Sequence, residues 1–183
     1  MKTTFLLFAA CLAACAQTPT PVHIDDCTDS PWSGKKDAAN AVTDAKQYAS
    51  AAFRKAFSGE IAWHPCRTSP RYPGGLVLYI WGKQAWRGIS RERRRHFGKM
   101  VVFTLGDEII VRGDLVRRLA RSAKCPLGSV IGAGVFSIVG LRLSGKQRQV
   151  WEDPVDLAFV KQGMLQVTNQ DVVLVQRALG IRR

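Results

Sequence analysis

The sequence predicts an α+β fold in a single domain, with an N-terminal Ala-rich helix, central and mostly antiparallel strands, and two C-terminal helices. Three observations predict it. Lys36–Phe57 carries eight alanines and neither Gly nor Pro, with Ala38, Ala41, Ala45, Ala49, Ala52 and Phe53 near helical spacing. Two compact apolar runs of strand length follow, Leu76–Trp81 and Lys99–Leu105. The chain has 183 residues, 46% hydrophobic and 22% charged, which is too apolar for a disordered chain and too short for two full-sized domains.

The elements follow in order. Residues 16–34 hold three prolines and three aspartates without a long apolar run, and predict a flexible tether ahead of a domain over 35–183. Ser58-Gly59 stops the Ala-rich helix, and Pro65, Pro70 and Pro73 predict a loop over 59–75. Gly106-Asp107 turns Lys99–Leu105 back into Glu108–Arg112 as a hairpin. Asp114–Ala123 returns to helical period, with Asp114 as N-cap. Leu127–Leu143, rich in Gly, Val and Ile, predicts strands broken by bends, and Ser144-Gly145 turns into a strand at Gln147–Trp151. Asp153-Pro154 opens a helix that Gly163 stops, and Met164–Val167 is a last strand. Thr168 to Asp171 has capping-box spacing before a helix over Val172–Leu179, closed by Gly180.

The N-terminus predicts export. Lys2 gives a singly positive start, Phe5–Ala14 is ten apolar residues, and the polar Gln17-Thr18-Pro19 follows. That is a signal sequence rather than a spanning helix, which needs about 18–20 apolar residues. Leu12-Ala13-Ala14-Cys15 resembles the bacterial lipobox. The resemblance implies a signal peptide over 1–14, cleavage before Cys15, and a palmitate-type lipid anchor on that cysteine, with a lipidated tether over 15–34. Ala16 in place of Asp implies, by the enterobacterial rule, delivery to the outer membrane with the domain facing the periplasm. Cys11, or an ordinary signal with an Ala-x-Ala-like cut, is the competing reading; with an ordinary cut Cys15 would be a plain thiol.

Charge is concentrated in the middle of the chain. Overall, 27 Lys and Arg against 14 Asp and Glu leave +13. Residues 61–125 account for +10 of this, from fourteen basic and four acidic side chains. Arg91, Arg93, Arg94 and Arg95 crowd beside His96, with Trp81 and Trp86 nearby in sequence, while Arg117, Arg118 and Arg121 share a broad face of the expected helix. Arginine favours forked contacts to phosphate or carboxylate and stacking on aromatics. These seven residues are the expected contacts to a polyanion: lipopolysaccharide phosphates, anionic lipid or another envelope polymer. Single-stranded nucleic acid suits the same pattern, but an exported protein rarely meets it. A solvated cationic face that only raises solubility is the plainer alternative.

With Cys11 removed and Cys15 lipidated, three cysteines remain, Cys27, Cys66 and Cys125, and an oxidising compartment implies one disulfide and one spare thiol. Cys27–Cys66 and Cys66–Cys125 both remain open, with the second favoured because Cys27 falls in the expected tether. His64-Pro65-Cys66 has no second tight pair of ligands, so no metal site and no cofactor is expected. Gly132-x-Gly134 continues with the wrong spacing for a dinucleotide fingerprint, and no nucleophile elbow or phosphate loop occurs. Leu157–Val167 is similar to the late helix-Gly-strand segment of thermonuclease-like domains. The acidic and arginine motifs of that family's phosphodiester chemistry have no counterparts upstream, so no catalytic residue carries over. The sequence therefore points to a membrane-anchored envelope lipoprotein acting as a binding or assembly factor. The alternatives are an accessory lipoprotein of a secretion or conjugation complex, and a lipid-anchored hydrolase or nuclease.

Overall fold

The computed structural model describes residues 19–28, 36–67, 72–98, 100–145, 150–151 and 168–181. The lipobox with Cys15, the helix expected from Asp153 to Gly163, the strand expected at Met164–Val167 and the thermonuclease-like segment lie outside these residues. The architecture is a mixed α/β domain built on one sheet, with helices before and after central strands, as the sequence predicts. Six strands are ordered β2-β1-β3-β5-β4-β6. They are β1 (Val22–Asp26), β2 (Ile61–Pro65), β3 (Leu76–Trp81), β4 (Val102–Leu105), β5 (Glu108–Arg112) and β6 (Val150–Trp151).

Strand direction corrects the antiparallel expectation. β1 runs parallel to both β2 and β3, and β3 runs parallel to β5; β4 alone is antiparallel to its neighbours, β5 and β6. Parallel neighbours need a long crossover, and α1 (Lys36–Phe57) supplies it between β1 and β2. Leu76–Trp81 is almost uninterruptedly apolar because β3 lies inside the sheet with both faces covered. The expected hairpin forms between β4 and β5, with Gly106 at φ +61° in its two-residue turn.

Two further expectations fall with β1. Val22–Asp26 belongs to the sheet, not to a tether, and Ile61–Pro65 is its neighbouring strand rather than part of a loop. Val22 and Ile24 face the core while His23 and Asp25 face the other way, the period-two alternation of a strand. Prolines and aspartates around this short segment hid that alternation in the sequence.

The main core lies on one face of the sheet. Ile24, Leu78, Ile80, Val102, Ile109 and Val111 meet Ala45, Ala49, Phe53 and Phe57 of α1. Val116 and Ala120 of α4 (Gly113–Ala123), Ile131, Val135 and Ile138 of α5 (Leu127–Leu143), and Val175 of α6 (Asn169–Ala178) complete it. α5 replaces the strands expected over 127–143. Its sequence shows no helical periodicity because the helix is apolar on every side, packed among α1, α4, α6 and the sheet. Its glycines are needed for close packing on α1: a Cβ on Gly132 would lie 2.6 Å from the Ala45 carbonyl oxygen, and one on Gly128 2.5 Å from the Asp44 Cβ. α6 begins as expected, with Thr168 and Asp171 exchanging both capping-box hydrogen bonds.

A smaller cluster covers the opposite face. Met100, Phe103 and Ile110 are buried there with Tyr79, Trp81, Trp86, Phe97 and Leu105 against them. Two short helices in the β3–β4 connection sit on this side, α2 (Lys83–Gly88) and α3 (Arg91–His96).

The disulfide joins Cys27 to Cys66, with Cα atoms 4.4 Å apart, and corrects the favoured Cys66–Cys125 pairing. Asp26 and Pro65 are register partners at the ends of β1 and β2, so the next residue of each strand meets the other. Among the described residues Cys125, half-buried after α4, is the free thiol.

Candidate anion-binding surface

The cationic segment after β3 is held by two aromatic anchors. Trp86 of α2 lies over the guanidinium of Arg112, 3.5 Å from ring centroid to Cζ. Phe97, the C-cap of α3, stacks on Phe103 of β4 with centroids 4.4 Å apart. Ser90 caps α3 by accepting a hydrogen bond from the Arg93 amide at 3.2 Å. Arg94 donates to the Arg87 carbonyl and ties the two helices together.

With Trp86 and Phe97 turned to the sheet, the rest of α3 faces solvent. Arg91, Arg93 and Arg95 are exposed and Arg94 half-exposed. Among the described residues, none of the four forms an ion pair, and Glu92 is the one acid on the helix. Like charges three and four positions apart oppose helix formation by a few tenths of a kcal/mol per pair. A bound anion would reverse that sign at Arg91, Arg94 and Arg95. Beside them Ser90, Glu92, Arg93, Arg95, His96 and Phe97 line an open concavity of about 640 Å³. Arg93 and Arg95 thus offer forked donors in a concavity that Phe97 and His96 also line, with the Glu92 carboxylate as its one acid, a chemistry suited to phosphate or carboxylate on a larger molecule.

The second arginine group is elsewhere. α4 packs Val116, Ala120 and Ala123 into the main core, so it covers the sheet face opposite α3. Arg118 and Arg121 are exposed on it, and Arg117 is half-buried and engaged. The seven arginines therefore form two surfaces, and the one on α3 has the concavity.

Two arrangements carried little signal in the sequence. Arg112 is 3% exposed, and its Nε and Nη2 donate to the two carboxylate oxygens of Asp114 at 3.0 and 2.9 Å. Its Nη1 has no hydrogen-bond partner among the described residues. Asp114 is one turn position inside α4 instead of at the N-cap, which is Arg112. Burial disfavours the Asp114 carboxylate, but the Arg112 bonds and charge and the backbone amides of Asp114 and Leu115 outweigh it. Its pKa is held below the usual carboxylate value.

The other arrangement is a pair of histidines. β1 and β2 are adjacent, so His23 and His64, distant in sequence, meet with Nδ1 and Nε2 2.9 Å apart. Tyr72 stacks on His23 with centroids 3.7 Å apart. No group of three His, Cys, Asp or Glu side chains among the described residues is placed to hold a metal ion.

No protein-family profile, curated protein or solved structure matches the chain.

Proposed function

We propose that the chain is a lipid-anchored bacterial envelope protein, tethered to the outer membrane through Cys15 and facing the periplasm. It would act as a binding or assembly factor whose α2–α3 surface holds an anionic envelope polymer or lipid. The observation that carries this reading is the exposed Arg91, Arg93 and Arg95 with the half-exposed Arg94, without ion pairs among the described residues, beside the concavity that Arg93, Arg95 and Phe97 line. The Cys27–Cys66 bridge supports export, because such bonds persist in oxidising compartments.

The test uses residues 16–183, which leave out the apolar signal and the lipid attachment point, and vesicles with and without anionic lipid. Each basic residue at an anionic surface contributes about 1 kcal/mol. Arg93→Ala with Arg95→Ala should therefore weaken binding about 30-fold at low salt. Binding should also fall as salt rises and be absent on neutral vesicles. Equal affinity of the variant at low salt would overturn the assignment.

A further inference from the structure

We propose that His23, His64 and Tyr72 form an acid-released clasp that fastens the turn Tyr72–Gly75, which enters β3, to the sheet. The three side chains come from three segments: β1, the edge strand β2, and the residues that lead into β3. The two imidazoles share one N–H between facing nitrogens 2.9 Å apart. Tyr72 lies flat on His23 at 3.7 Å and reaches His64 at 4.9 Å between centroids. Its carbonyl accepts the Gly75 amide at 2.9 Å, so the ring positions the turn that enters β3.

A neutral pair holds one proton between the facing nitrogens, one ring donating and the other accepting. A first added proton can go to an outward nitrogen and leave the shared bond intact. A second leaves both facing nitrogens as donors, with no acceptor between them, and sets two cations against each other. Asp25 lies two residues along β1 on the same face, and its charge favours a proton on His23. Val77, the register partner of Asp25 on β3, adds no charge. Lys46 is paired with Asp26 at 2.6 Å, on the helix-covered face. Burial first, then the charge of His64, outweigh Asp25 and hold His23 below its ordinary value of 6.5. Native stability from this group is therefore complete above that value and is lost as pH falls below it.

Release would reach the Tyr72–Gly75 turn and leave the β1–β2 pair in place. The Cys27–Cys66 bridge and the Val22 amide, bonded to the Glu60 carbonyl at 2.9 Å, keep β1 and β2 together whatever the imidazoles do.

Amide hydrogen exchange on the full chain tests this between about pH 8 and pH 5, the window in which histidine changes charge. After correction for intrinsic rates, Gly75 should lose protection as pH falls through that window. Val22 should keep its protection. His64→Phe, which retains a ring but cannot titrate, should abolish the acid step. Unchanged Gly75 protection, or the same loss in His64→Phe, would overturn the proposal. Should that variant fail to fold, the imidazole Cε1–H resonances of the unaltered protein decide. Two coupled steps support the clasp, and two independent titrations at ordinary values overturn it.

Discussion

Arg112 shows how much one buried cation asks of its neighbours. Asp114 neutralises it through two hydrogen bonds and Trp86 covers one face. Asp114→Asn keeps the shape but removes the charge, leaving an uncompensated guanidinium. Because Asp114 is itself 30% exposed, the loss should sit at the low end for a broken buried pair, about 3 kcal/mol by chemical denaturation. Replacing Arg112 by Met in the Asp114→Asn background should restore part of it. The pH dependence has a definite sign. The folded-state pKa of Asp114 is depressed, so its contribution is present above the ordinary value of 3.8 and is lost as pH falls below it. The acid limb of a stability profile should flatten in the Asn variant; an unchanged limb would show that folding does not lower the Asp114 pKa. Neither the burial of Arg112 nor its stacking on Trp86 was legible in the sequence. An Arg-Gly-Asp step at a strand end gives no sign of which side chain turns inward.

At the scale of elements, the α1–α5 packing depends on glycines. The backbones approach so closely that a methyl group on Gly132 would meet the Ala45 carbonyl and the Tyr48 side chain at 2.6 and 2.8 Å. Gly132→Ala gains helix propensity of about 1 kcal/mol yet should lower the melting temperature, since overpacking costs about 1–3 kcal/mol. α1 was legible because its apolar residues occupy one stripe and its other face meets water. α5 was not, because a helix covered on all sides has no polar face to set a period. β1 and β2 form a pair closed by a bridge spanning 39 positions. Cys27→Ser should cost about 2–4 kcal/mol, while Cys125→Ser leaves the bridge intact. Peptide mass mapping under non-reducing conditions checks the pairing directly: a Cys66–Cys125 peptide would refute it.

Over the whole molecule, the two arginine groups are divided by the sheet. α3 and α4 lie on opposite faces, so their arginines should act independently. Arg91, Arg93, Arg94 and Arg95 replaced together by Ala should reduce the salt dependence of polyanion binding. The slope should fall by about one unit for each anionic group left without its arginine. Arg117, Arg118 and Arg121 replaced together should add to that effect without coupling to it. A strong coupling energy between the two sets would contradict two separate surfaces.

Local order along the chain decided several things by itself. The bounds of α1, the Leu76–Trp81 strand, the hairpin turn at Gly106 and the Thr168 capping box all follow from residue types at fixed short spacings. So does the row of arginines at 91–95. Interactions of this range are written in neighbouring positions and survive without knowledge of the fold. Tertiary structure alone decided that the strands run mostly parallel, that Val22–Asp26 enters the sheet, and that Cys27 meets Cys66. It also separated the two arginine groups and joined His23 to His64. Each of these depends on which distant segment lies alongside, and that is set by burying a common core, to which no short stretch of sequence has access.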